Sequence, residues 1–291
     1  MFRGSYTALI TPFKDGLVDE DGIQSFVEWQ ISEGVHGVVS CGTTGESPTL
    51  THPEHMRVTE LCVEAAAGRV PVIAGTGSNS TDEAVDLTRH ARKAGASAAL
   101  EVTPYYNKPT QEGLYQHFKA INDSVDLPVL IYNIPPRCVI DMSVETMSRL
   151  AKLPNIVGVK DATNDLARPP LQRLACGDDF VQLSGEDGTS VAFLGQGGDG
   201  CISVTANVAP AACARVQEAW QAGDFAAVQE INDRLAPLHA ALFVETNPAP
   251  VKFAASLLGK CSPELRLPMV PLSDTSKAKV ETAMRSAGLL N

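Results

Sequence analysis

Residues 127–163 read LPVLIYNIPPRCVIDMSVETMSRLAKLPNIVGVKDAT, and this stretch decides the fold. Two short apolar runs, 127–132 and 156–160, are rich in Val and Ile and have the length of strands. Between them Ser143 and Glu145 open a helical segment, 143–152, with a capping signal. Strand, helix, strand is the unit that joins two parallel strands. The second strand ends on Lys160, where an ammonium group interrupts an otherwise apolar run.

The unit recurs in both directions along the chain. Strands are expected at 6–11, 35–40, 70–74, 98–103, 127–132, 156–160, 180–184 and 200–204. Helices are expected at 19–33, 51–67, 80–94, 110–124, 143–152, 167–176, 189–195 and 208–222, several opening on Ser or Thr and several closing on Gly34, Gly68, Gly95 or Gly223. Parallel strands joined by helices need both sheet faces covered, and eight such units can close on themselves. The expected fold is therefore an α/β (β/α)8 TIM barrel, which typically takes about 250 residues. A doubly wound open sheet would carry a glycine-rich fingerprint after strand one, but ITPFKDG stands there. The barrel is expected over 1–223. Residues 224–291 hold three helical segments, 225–243, 249–258 and 274–287, and read as a helical appendage packed on the barrel or on a neighbouring subunit.

Composition narrows the function. The 291 residues carry a formal charge of −11, which disfavours nucleic acid and anionic membranes as partners. No apolar run reaches the ~18 residues of a membrane span, and the apolar part of MFRGSYTALITPF is too short for a signal peptide. Seven scattered cysteines without a C-x-x-C pair read as small buried hydrophobes in a reducing compartment, and a cytoplasmic protein is expected.

In such barrels chemistry gathers where strands end and βα-loops begin. The ends read GTTGES after strand two, GTGSNS after three, TPYYNKP after four, YNIPPR after five, KDAT after six, SGED after seven and SVTAN after eight. Loss of hydration favours the neutral form of an amine, and a neutral amine can attack a ketone carbon to form an imine. Lys160 is placed for that. It could equally sit in a salt bridge with Asp161, Asp187 or Glu186. Imine chemistry also needs a group that gives and takes protons. No histidine ends a strand, but Tyr132, Tyr105 and Tyr106 offer phenols, and Thr43 and Thr44 offer hydroxyls in a glycine-flanked turn. Each has a plainer reading, as a packing tyrosine or an ordinary tight turn. Arg137 presents a planar fork suited to a carboxylate, or is a solvated loop arginine. His52 and His55 are three apart at a helix start, a spacing that could bind metal, but two ligands without a further cluster are a weak signal and a partly exposed polar face is the plainer reading; GTTGE lacks the lysine of a phosphate-binding loop.

Five of these motifs in order, GTTGE (42–46), TPYYNKP (103–109), YNIPPR (132–137), GVKDAT (158–163) and SVTAN (203–207), resemble the dihydrodipicolinate synthase family. The resemblance continues through APLHAALFVETNPAPVK (236–252) and LRLPMVPL (265–272), so it covers essentially the whole chain. It implies a lyase that condenses pyruvate with L-aspartate 4-semialdehyde on the route to diaminopimelate and lysine, with no metal and no organic cofactor. By resemblance Lys160 is the Schiff-base lysine and Tyr132 the central proton-transfer residue. Thr43 and Tyr106 complete its relay, Tyr106 being supplied by a neighbouring subunit. Thr44 holds the pyruvate carboxylate, Arg137 guides the semialdehyde carboxylate, and Ile202 turns a backbone carbonyl to the site. The family resemblance further implies a homotetramer, a dimer of dimers.

Ser47, Pro48, His52, His55, Asn79, Glu83 and Tyr105 match the pocket that binds free L-lysine in lysine-inhibited members, so feedback inhibition is expected. Three departures stand out. Asp161 replaces the Glu of many relatives, Cys138–Val139 replace Thr–Gly, and Pro48 replaces an alanine. The nearest rivals are N-acetylneuraminate lyase and the keto-sugar-acid aldolases, which share the lysine and the tyrosine; Thr43–Thr44 and Arg137 argue against them. A catalytically dead, ligand-binding regulator would have lost Lys160 or Tyr132, and both are present.

Overall fold

In the computed structural model, which describes residues 2–291, eight strands close into a barrel. They are β1 (Gly4–Ala8), β2 (Gly37–Ser40), β3 (Val72–Gly75), β4 (Ala98–Val102), β5 (Val129–Asn133), β6 (Ile156–Asp161), β7 (Val181–Ser184) and β8 (Gly200–Ser203). Their hydrogen-bonded order runs β1-β8-β7-β6-β5-β4-β3-β2, so every strand has two neighbours and no edge is left open. Each expected strand is present, and all eight expected βα-helices fall within two residues of their predicted limits. The strands are apolar throughout because both faces are covered. Val129, Leu130 and Ile131 are consecutive in β5, and all three are buried.

The caps explain the helix starts. Asp19 accepts from Gly22 N–H, Thr51 and Glu54 form a reciprocal capping box, and Ser143 accepts from Thr146 N–H. Ser80 holds the cap position of Thr81–Ala94 without a side-chain bond; its N–H donates to Ser78 Oγ instead. The same helix ends on Gly95 at φ +94°, a left-handed position that disfavours any side chain. Sequence periodicity did not reveal the small antiparallel hairpin Phe13–Lys14/Leu17–Val18 or the four-residue helix Pro135–Cys138. Both are too short to show a period.

The chain forms two compact units. One comprises Pro71–Ile202 with the first residues; the other comprises Gly4–Val70 and Ser203–Asn291. In the first unit β5 and β6 pair in register, Tyr132 opposite Lys160 and Asn133 opposite Asp161. At Gly158 the β6–β7 contact is so close that a Cβ would lie 2.4 Å from Val181 O, so only glycine fits. In the second unit β1 pairs with β2, and the three C-terminal helices are Phe225–Ala241, Ala249–Leu257 and Asp274–Ser286. Among the described residues no helix is long and apolar enough to cross a membrane. All seven cysteines are free, five of them buried.

Candidate active site

Strands β5 and β6 carry Tyr132 and Lys160 to equivalent positions near their C-terminal ends. The two side chains meet, with Lys160 Nζ 4.1 Å from the centroid of the Tyr132 ring. Lys160 is only 7% exposed and Tyr132 6%. The salt bridge to Asp161 left open by the sequence does not form. Strand alternation puts Asp161 on the other face of β6, where its carboxylate accepts from Gln172 Nε2 at 2.7 Å and lies 3.3 Å from Arg168 Nε. Gly185, at the end of β7, leaves room for the lysine stem: a Cβ there would sit 3.2 Å from Lys160 Cε and 2.7 Å from Ala162 Cβ.

Glu186 shares this electrostatic environment. Burial and the neighbouring Asp187 raise its pKa, while the positive charges of Lys160 and Arg137 pull the other way. Arg137 itself is exposed, on the four-residue helix that follows β5. Cys138, next to it, is buried, and burial raises its thiol pKa. The thiol at the departure from the family pattern is therefore a packing group. Ile202, in β8, is fully buried.

Asn79, Glu83 and Tyr105 lie together after β3 and β4. Asn79 Nδ2 donates to Tyr105 O at 3.2 Å, and Asn107 Nδ2 donates to Asn79 O at 2.8 Å. Ser78 Oγ donates to the Glu83 carboxylate. Burial raises the Tyr105 phenol pKa, and the Glu83 charge adds to the effect. Tyr106 differs from all of these. It has φ +70° and is 89% exposed, and no hydrogen bond joins it to Tyr132 within the chain.

In the second unit residues 42–47 form a tight turn, with Gly45 N–H donating to Gly42 O and Glu46 N–H to Thr43 O. Thr44 is buried and its Oγ1 accepts from Asn247 Nδ2 at 3.0 Å. Glu46 ends the turn at φ +55°, anchored by a hydrogen-bonded ion pair with Lys252 Nζ at 2.7 Å. Burial draws the Lys252 ammonium below its ordinary pKa, and Glu46 opposes this. Lys252 also lies 4.0 Å over the Phe13 ring, and Arg266 N–H donates to the second Glu46 oxygen. Ser47 and Pro48 open the next 3-10 turn, half-buried and exposed respectively. His52 is exposed, whereas His55 is buried with its carbonyl near Cys41 Sγ.

No local pattern in the sequence gives Gly185, Asn247 or Lys252 a role. Lys252 carried the same signal as Lys160, a lone lysine in the apolar run APVKFAASLL. Among the described residues no group of three or more His, Cys, Asp or Glu is arranged to hold a metal ion.

The sequence profile of the dihydrodipicolinate synthetase family matches residues 1–287. A protein of Rhodospirillum centenum named 4-hydroxy-tetrahydrodipicolinate synthase is 67% identical over 290 residues, covering 100% of both chains. Among solved structures, the chloride-inhibited dihydrodipicolinate synthase of Acinetobacter baumannii complexed with pyruvate superposes with a TM-score of 0.97 at 45% identity, with 100% of each chain covered. The enzyme of Cyanidioschyzon merolae with lysine bound superposes with a TM-score of 0.96 at 39% identity and 99% coverage of each.

Proposed function

The chain belongs to the dihydrodipicolinate synthetase family, and on that footing we propose that it is a 4-hydroxy-tetrahydrodipicolinate synthase condensing pyruvate with L-aspartate 4-semialdehyde. The observation that carries the reading is the nearly dry Lys160 amine stacked over Tyr132, its neighbouring carboxylate Asp161 tied up on the opposite strand face. The neutral amine adds to C2 of pyruvate, and the carbinolamine loses its hydroxyl as water to give the imine. A methyl proton then leaves to give the enamine. The nucleophilic carbon adds to the aldehyde, whose oxygen takes a proton. The amino group of the semialdehyde displaces Lys160 by transimination, closing the ring and releasing the lysine.

Tyr132 is the group that takes and returns these protons, with Thr43 and a Tyr106 from a second copy as its relay. The exposure of Tyr106 favours a partner-supplied role. Thr44 and the backbone at Ile202 hold pyruvate, and Arg137 receives the carboxylate of the semialdehyde. The catalytic work belongs to the barrel, residues 1–223. The helical region 224–291 supports it through Asn247 and Lys252. We read the assembly as a homotetramer in the cytoplasm.

L-Lysine is the proposed inhibitor. Glu83 pairs its ammonium, Asn79 and Tyr105 hold its carboxylate, and Ser47, Pro48, His52 and His55 line the rest. The lysine-bound relative supports this reading.

Borohydride reduction with pyruvate tests the mechanism. A mass increase is expected on the peptide containing Lys160 and not in Lys160→Ala. No adduct in the wild type refutes imine catalysis. Initial rates with pyruvate and either aspartate semialdehyde or N-acetylmannosamine separate this function from that of a sialic-acid lyase.

A further inference from the structure

Beside the catalytic pair lies a second network on the opposite face of the same two strands. Alternation puts Asn133 and Asp161 where Tyr132 and Lys160 are not, and the register sets them opposite one another. Asp161 Oδ1 accepts from Thr163 N–H at 2.9 Å and Thr163 Oγ1 at 2.6 Å; Oδ2 accepts from Gln172. Asn133 Nδ2 donates to Asp141 Oδ1 at 2.7 Å, and Met142 N–H donates to Asn133 Oδ1 at 3.1 Å. Residues 134–141, which carry Arg137, are thus a loop stitched back onto the strand it leaves.

Arg168 joins the two halves. It stands at the first position of the helix Arg168–Cys176 and is buried. Its Nε lies 3.3 Å from Asp161 Oδ2, its Nη1 3.2 Å from Asp141 Oδ2, and its Nη2 donates to Met142 O at 2.7 Å. We infer that Arg168 is a positioning residue for the reaction, acting through Asp161 on Lys160 and through Asp141–Met142 on the loop that carries Arg137. The inference rests on the reading of Lys160 as the imine-forming lysine.

The energetics favour this role over plain stabilisation. A desolvated ion pair gains little over apolar side chains of similar volume, so stability alone is a poor reason to keep one. A planar guanidinium whose Nη atoms hydrogen-bond Asp141 and the Met142 carbonyl, and whose Nε makes a charge contact with Asp161, fixes direction, which a greasy contact does not. A displacement of about 1 Å at the reacting groups can cost roughly 10²-fold in rate. The two arms make separable predictions, because Asp161 is covalently next to Lys160 while Asp141 belongs to the loop. Neither carboxylate touches the reacting atoms.

The test compares full-length wild type with Arg168→Met, Asp161→Asn and Asp141→Asn. Three quantities are measured: the rate of borohydride-trapped adduct formation with pyruvate, KM for aspartate semialdehyde, and melting temperature. Asp161→Asn should slow adduct formation about 10- to 100-fold and leave the semialdehyde KM within about twofold. Asp141→Asn should raise that KM about tenfold and leave adduct formation within about twofold. Arg168→Met should do both, and Arg168→Lys should restore the adduct rate in part. The inference is overturned if the folded variants keep both quantities within twofold of wild type. It is equally overturned if all variants lose both together, in step with melting temperature. If Arg168→Met does not fold, Asp141→Asn decides, since its carboxylate is half-exposed. A wild type that forms no adduct sinks the lysine-imine reading itself; a normal wild-type adduct with unmoved variants sinks only this inference.

Discussion

Lys252→Met isolates what the buried ion pair contributes. The Lys252 side chain is fully buried and that of Glu46 is 2% exposed, so removing the ammonium strands a carboxylate away from water. Breaking one side of such a pair costs about 3–5 kcal/mol. Glu46 keeps one backbone donor, Arg266 N–H, which places the expected loss toward the lower end. Unfolding entropy of about 2 cal/mol/K per residue makes each degree worth about 0.6 kcal/mol in a chain of 291 residues. Lys252→Met should therefore melt about 5–6 °C below wild type. Adding Glu46→Gln removes the stranded charge, and the double variant should regain most of the loss. Differential scanning calorimetry at fixed protein concentration measures both. The reasoning fails if Lys252→Met melts within a degree of wild type, or if the second substitution lowers the melting temperature further. A functional consequence follows from the turn geometry. Glu46 closes the turn that carries Thr43 and Thr44, so the single variant should also lose activity below its melting transition.

Three further outcomes are expected. Glu101, fully buried against Thr76 and Thr88, has its pKa pushed up to about 7 by burial. Its unfolded form ionises near pH 4.5, so wild-type stability is complete below that value and falls as pH rises to 7. Relative to Glu101→Gln, urea titrations should show roughly 3 kcal/mol lost between pH 4.5 and 8, and a gap that does not change with pH would refute this. Tyr132→Phe removes the phenol while keeping the ring under Lys160, so steady-state kcat should fall roughly 10²- to 10⁴-fold with little change in melting temperature. Glu83→Ala should abolish inhibition by millimolar lysine at unchanged uninhibited rate, and retained inhibition would disqualify Glu83 as the ammonium partner.

The sequence by itself determined the order of elements and the ends at which chemistry gathers. Strand and helix periods are local, and β5, its helix and β6 are legible within 127–163 because each needs only its own apolar spacing and caps. Lys160 and Tyr132 were legible for the same reason: each is a polar group ending an apolar run. What the tertiary structure decided is which polar groups face one another. Glu46 and Lys252 are 206 residues apart, and Thr44 and Asn247 are 203 apart. Neither spacing leaves a trace in a local pattern. Asp161 shows the difference most plainly. Beside Lys160 in sequence it reads as a salt-bridge partner, yet the two-residue period of a strand sends it to the opposite face and into the reach of Arg168. The pairing of charges follows from which face each strand presents to which helix, and that is fixed only when the strands take their register in the barrel.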